Sequence, residues 1–220
     1  MLDFADVPYA VIHHTLGPRT AYLIGSVNED GSAHLCAASN VTNVGIVPQV
    51  VSVGLWPVWQ TTQNILRTGQ FTINLMDVYY IDDIWIVGSK YSKVELEPND
   101  DKFAVGGFTR LAPVKLDVPG VAEAIAVLEC EVRRTLDDLS DHVIFLAEAL
   151  VARCRRKLFD SEFIIDTHRA HPVMQISGRY FSQCGPAPVP DTEWCSQLAK
   201  QRRLAHRSTP LTDDQETDGR

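Results

Sequence analysis

Three observations predict a mainly β chain that closes into an antiparallel barrel, with helices inserted between strands. Six or more short apolar runs of strand length follow one another, long helical periodicities are few, and Asp, Asn and Gly punctuate the runs. The chain has 220 residues, 45% hydrophobic and 22% charged, which suits one soluble globular domain with elaborations.

Residues 21–27 are an apolar run that reads as a strand. The Asp30-Gly31 step after Asn28 and Glu29 is a hairpin signal, so residues 32–38 are the return strand. Residues 50–55, introduced by Pro48, make a third strand. Residues 61–67 read as a short helix, with Thr61 as N-cap, Asn64 three residues on at the capping-partner position, and Gly69 at C′. Residues 71–75 alternate as a fourth strand. From 79 to 107 the pattern changes: an apolar segment at 81–87 and a polar loop through Ser89 and Lys90 to Lys102 read as inserted helix and loop. Residues 124–134 and 142–154 are two long β runs joined by an Asp-rich turn at 137–141. Residues 171–175 and 179–181 form a last pair around Ser177-Gly178. No internal repeat is visible. The first domain is expected to end at residue 185, with 186–220 a Pro-rich linker, a short helix capped by Asp191, and a polar tail.

Several function classes are disfavoured. A net charge of −8 argues against a nucleic-acid backbone or an anionic membrane as partner, though not against a local anion site. No apolar run is long enough to span a bilayer, and residues 1–6 lack the character of a signal peptide, so a cytoplasmic location is expected. Cys36, Cys130, Cys154, Cys184 and Cys195 form no Cys-x-x-Cys. His13-His14 and His168 with His171 have no acidic or Cys set at metal spacing, so no metal site is expected. Gly-x-Gly-x-x-Gly, Gly-x-Ser-x-Gly and Walker-type loops are absent.

Two polar segments stand out: Ser39-Asn40-Val41-Thr42-Asn43, and Thr61-Thr62-Gln63-Asn64 at the helix start. Free N–H groups and partial positive charge make a helix N-terminus a ready phosphate site. The two segments together are read as holding one phosphorylated cofactor.

In order and spacing, Gly31 through Asn40, the strand 50–55, Thr61-x-x-Asn64-Ile65 and Gly69 through Asn74 resemble the flavin reductase-like, FMN-binding split-barrel family. Asp101-Lys102-Phe103 with Gly106-Gly107, Leu128-Glu129-Cys130, Asp141-His142, and His171-Pro172 with Gly178-Arg179-Tyr180 extend the resemblance across about residues 18–185. It implies a six-stranded split barrel, usually a homodimer, that binds FMN or sometimes FAD near the dimer interface. It further implies an NAD(P)H:flavin reductase, using NADH or NADPH and often supplying reduced flavin to a monooxygenase partner. A flavin-binding electron carrier without NAD(P)H turnover and a flavoprotein oxygenase are the alternatives. By the same resemblance Ser39, Asn40, Val41 and Thr42 line the flavin ring and ribityl chain. Thr61, Thr62 and Asn64 hold the phosphate, and Lys90 with Ser89 supplies a phosphate-pairing cation. His142 and Tyr180 lie near the flavin or the nicotinamide. No catalytic side chain is singled out, because the hydride chemistry belongs to the flavin.

Overall fold

Two strands that are consecutive in the chain lie on opposite edges of one sheet, and this placement curls the sheet into a barrel. The computed structural model describes residues 5–88, 100–185 and Gln197. The chain divides into two units, residues 1–185 and 186–220, and the barrel belongs to the first. After a 3-10 helix (Tyr9–Leu16) and a short β1 (Arg19–Thr20) come β2 (Tyr22–Val27), β3 (Ala33–Ala38), β4 (Val41–Gly45) and β5 (Val50–Leu55). Helix α1 (Gln60–Thr68) leads to β6 (Gln70–Leu75), then α2 (Ile81–Val87) and α3 (Lys102–Val105). The short β7 (Arg110–Leu111) and β8 (Gly120–Val121) pair with each other before the long β9 (Ala126–Leu136) and β10 (Val143–Cys154). The final hairpin is β11 (Val173–Ser177) with β12 (Tyr180–Gln183).

The main sheet has seven strands in the order β3-β2-β6-β9-β10-β5-β4, every neighbouring pair antiparallel. A flat sheet of that width sets its edges about 29 Å apart at about 4.8 Å per strand. Yet β3 and β4 are separated only by Ser39 and Asn40, and the three Cα steps from Ala38 to Val41 reach about 11 Å. The sheet therefore bends until its edges meet at this dipeptide. Among the described strands no ladder pairs β3 with β4, so the result is a split barrel with a seam at Ser39-Asn40.

The main sheet has one strand more than the six expected, because residues 41–45 form an edge strand rather than a loop. Thr42, Asn43 and Val44 are exposed on β4, so the strand carries no inward apolar alternation to reveal it. Helix α1 starts a residue before Thr61, with Trp59 at the N-cap and no side-chain cap bond. Its end is as expected: Gly69 adopts φ +68° and its N–H bonds the Ile65 carbonyl at 2.8 Å.

The wall separates two cores. Ile24, Val53, Leu55, Phe71, Ile73 and Phe145 meet Ile65 of α1 inside the barrel. Leu23, Leu35, Met76, Ile84, Val87 and Phe103 pack outside it, under α2 and α3. Strand β2 is buried on both faces for this reason and reads as a continuous apolar run. The loop between β7 and β8 is tied down by buried polar groups. Glu129 accepts from the N–H groups of Val114, Lys115 and Leu116 at 2.7, 2.8 and 3.1 Å. Asn74 accepts from Val121 N–H at 2.8 Å and donates to the Leu23 carbonyl at 2.9 Å.

His34, half-buried on β3, has a pKa pushed down to about 4, first by burial and second by the Lys102 charge. The folded state keeps it neutral while the unfolded chain takes up a proton near pH 6.5. Stability contributed by neutral His34 is therefore complete above pH 6.5 and is lost as pH falls from there toward 4. A series of melts between those values should show Tm falling with pH, and the fall should be shallower in His34→Gln. Parallel curves for the two proteins contradict the assignment.

Candidate site at the barrel seam

The seam is also where the structure opens. Asn40 is held in place from both sides: its carbonyl accepts from Gly54 N–H of β5 at 2.8 Å, and its Oδ1 accepts from Arg19 Nη1 of β1 at 2.9 Å. The Ser39 hydroxyl bonds Gln175 Oε1 of β11 at 2.6 Å, and Gln175 Nε2 donates to the Gly178 carbonyl at 2.9 Å. Arg19 and Gln175 are direct partners in the β1–β11 ladder. The small three-stranded sheet β1-β11-β12 thus buttresses the dipeptide that closes the large one. Gly17 permits this approach, since a Cβ there would lie 2.6 Å from the Ile176 carbonyl oxygen.

A cleft of about 670 Å³ lies over the seam, within the roughly 300–1,000 Å³ usual for small-molecule sites. Ser39, Asn40, Gly54 and Arg19 form its floor, and Trp56 and Trp59 come from the β5–α1 connection. Ile84, Trp85 and Gly88 enter from α2. Gln175 and Gly178 enter from the last hairpin, with Phe181, whose ring meets Trp85 edge-on at 5.9 Å. A second cleft of about 860 Å³ continues along β4 past Val41, Thr42 and Asn43. Arg19, Ser39, Asn40, Gly54 and His142 line both.

His142 stands just before β10, its Nδ1 2.7 Å from Asp141 Oδ1 and its ring edge-on to Trp56 at 6.1 Å. The carboxylate fixes the ring's orientation. Because Asp141 is 75% exposed, the pair adds little stability.

The residues singled out in the sequence divide into groups. Ser39, Asn40, Val41, Thr42 and His142 converge on the clefts. Thr61, Thr62 and Asn64 do not: all three are buried. Asn64 Nδ2 donates to Ser26 Oγ and Asn28 Oδ1 at 3.0 and 2.8 Å, and its Oδ1 accepts from Gln60 Nε2 at 2.9 Å. Thr62 donates to the Trp56 carbonyl at 2.6 Å. The Thr61 hydroxyl faces the Cys36 thiol but has no partner at hydrogen-bonding geometry. Asn64 and Thr62 fasten α1 to the barrel and to the Trp56 turn, and none of the three lines either cleft. The reason is register: with the helix beginning at Gln60, positions 61, 62, 64 and 65 form its buried face. Tyr180 on β12 is 61% exposed and lines neither cleft. Ser89 and Lys90 lie outside the described residues, directly after Gly88.

Arg19, Gln175, Trp85 and Gly54 line the cleft and were not singled out from the sequence. Each is an unremarkable residue in its own segment. Only the closure of the barrel brings them together, and Ser39 and Gln175 are 136 positions apart. Among the described residues, no group of three or more His, Cys, Asp or Glu is placed to hold a metal ion. No helix among them is long and apolar enough to cross a membrane.

Fold and cleft together define a split β-barrel protein with an aromatic and polar cleft at its seam. Residues 16–180 match the flavin reductase like domain, and the chain belongs to that family. It is 30% identical over 148 residues to an uncharacterized protein of Pyrococcus abyssi, covering 67% of this chain and 81% of that one. Its fold is similar to that of a flavoredoxin from Methanosarcina acetivorans, with TM-score 0.73 and 20% identity over 90% of this chain and 100% of that one. It is also similar to nitrilotriacetate monooxygenase component B from Bacillus cereus, with TM-score 0.72 and 20% identity over 86% of this chain and 98% of that one.

Proposed function

We propose that this protein is a flavin-dependent oxidoreductase that binds FMN in the seam cleft and reduces it with NADH or NADPH. The carrying observation is the cleft itself. Three tryptophans form apolar walls for a flat ring, while Ser39, Asn40 and Arg19 present polar groups from its floor. The buried Arg19 Nε has no hydrogen-bond partner among the described residues, which suits a ligand rich in acceptors. Membership of the flavin reductase like family supports the choice of flavin.

When bound, flavin supplies the hydride-accepting chemistry, gaining two electrons, one hydrogen and one negative charge as the dihydronicotinamide becomes a pyridinium. The protein's own residues bind and orient. Ser39 and Asn40 are locked by Gln175, Arg19 and Gly54 and give a fixed edge. Val41 and Thr42 continue that edge along β4. His142, aimed by Asp141, takes the place beside Trp56 where a nicotinamide or its amide is received. Ser89 and Lys90 keep in this reading the phosphate role that the family resemblance gives them. Thr62 and Asn64 act one layer below, holding the helix next to the tryptophan turn, with Thr61 buried beside them.

Homodimerisation is part of the proposal. The β4–β5 hairpin exposes Val44, Ile46 and Val47 at 53, 73 and 95%, beside the cleft that runs along β4. A second copy covering this edge would complete the site. The likeness to a monooxygenase component supports the further reading that a partner oxygenase consumes the reduced flavin. The cytoplasm is the proposed location. The test is spectroscopic: mixed anaerobically with FMN, the protein should bleach the flavin on addition of NADH or NADPH, and the faster nucleotide identifies the donor. Flavin that binds but is reduced by neither nucleotide favours the electron-carrier reading. Organic product formed with oxygen uptake favours an oxygenase.

A further inference from the structure

Among the described residues lining the two clefts, Arg19 is the one arginine or lysine. It has no carboxylate partner among the described residues. Nη1 is spent on the neutral amide oxygen of Asn40 at 2.9 Å, and Nε is buried without a hydrogen-bond partner. A buried guanidinium N–H left unmade is costly, and here it stands beside a binding cleft. The arrangement looks built for a group that arrives with the ligand. Asn40 adds the geometry: holding one arm of the fork, it prevents the guanidinium from swinging into solvent, and the barrel seam in turn holds Asn40 through Gly54.

We infer that Arg19 is the positioning residue that favours reduced over oxidised flavin, by facing the ring carbonyls on which the charge gained in reduction is spread. This rests on the proposed flavin site. A single delocalised charge is matched by one guanidinium bonded to a neutral amide. A phosphate dianion would instead call for several converging donors, and the Ser39 hydroxyl is already spent on Gln175. The hydride step leaves one extra negative charge on the flavin. A fixed cation at that ring binds the product form more tightly than the starting form and so raises the flavin's reduction potential.

The experiment compares wild type, Arg19→Gln and Arg19→Lys by two readouts: dissociation constants for oxidised FMN and for riboflavin, and the midpoint potential of the bound flavin. Arg19→Gln should weaken the reduced form about tenfold more than the oxidised one. That corresponds to a fall of about 30 mV, since tenfold in a two-electron couple is 29.6 mV. Arg19→Lys should recover part of the shift by restoring the charge. Circular dichroism and a melt establish that each variant is folded, and Asn40→Ala provides a second route, loosening the guanidinium while leaving its charge. An unchanged potential in both Arg19→Gln and Asn40→Ala overturns the inference. So does a loss of FMN affinity without a matching loss for riboflavin, which would assign Arg19 to the phosphate. Potential and affinities unmoved, with dimerisation lost instead, would show that Arg19 meets a carboxylate of the second subunit. A wild-type protein that binds neither flavin overturns the proposed site along with it.

Discussion

Replacing Glu129 with alanine should lower the stability of the protein by about 3–5 kcal/mol, the cost of breaking a buried charged network from one side. A typical domain has only about 5–15 kcal/mol in all. The carboxylate is 1% exposed and accepts three backbone N–H bonds from consecutive residues 114–116. Arg153 stands 3.6 Å away. Alanine leaves those amides without acceptors at the barrel wall, and the β7–β8 loop loses its anchor. Urea denaturation measures the loss, and hydrogen exchange should show residues 114–116 opening first. The pH dependence has a definite sign. Burial alone would raise the Glu129 pKa, but the three N–H bonds and Arg153 outweigh it and hold the group below its ordinary value of 4.5. Its contribution is therefore full above about pH 4.5 and disappears as pH falls through the folded-state value. Glu129→Gln retains one acceptor oxygen and should cost less at neutral pH while flattening this acid limb. A Glu129→Ala protein as stable as wild type contradicts the account of the wall.

Asn64→Ala should cost about 2–4 kcal/mol and leave the flavin affinity of the folded protein within about twofold. The substitution removes the donor to Ser26 and Asn28 and the acceptor for Gln60 in one step, and Ser26 is fully buried. Thr61→Val, nearly the same shape, removes a buried hydroxyl with no hydrogen-bond partner. It should be neutral or stabilising by about 1 kcal/mol. The pair separates two roles for one segment. A phosphate ligand would lose FMN affinity in either variant, whereas the buried placement predicts unchanged affinity in both and lost stability in Asn64→Ala alone. Chemical denaturation and FMN titration on the same preparations decide between them.

The β2–β3 hairpin was legible because Asn28 to Gly31 carry turn chemistry between two apolar runs. The long β9–β10 pair was legible because each run is far longer than a turn permits. Strand β4 was not, because an edge strand exposed at Thr42, Asn43 and Val44 has no apolar face to alternate. Its consequence, the seam, was hidden with it. Ser39 and Asn40 stood out as polar residues at a strand end, but their role depends on which two edges they join. The same limit applies to Arg19 and Gln175, whose local sequences hold no signal. The Thr61 to Asn64 segment shows the opposite relation between residue type and placement. Its residue types suit a cap facing a phosphate, and a shift of one residue in the helix start turns them inward, where the identical hydrogen-bonding capacity serves the fold.

Whether flavin occupies the cleft at the barrel seam is tested most directly by a crystal structure of the protein with FMN. The ring system should lie over Ser39-Asn40, bounded by Trp56 and His142, with Arg19 within hydrogen-bonding distance of a ring oxygen. FMN bound elsewhere, or the cleft filled by the protein's own side chains with no flavin in it, would contradict the flavin site.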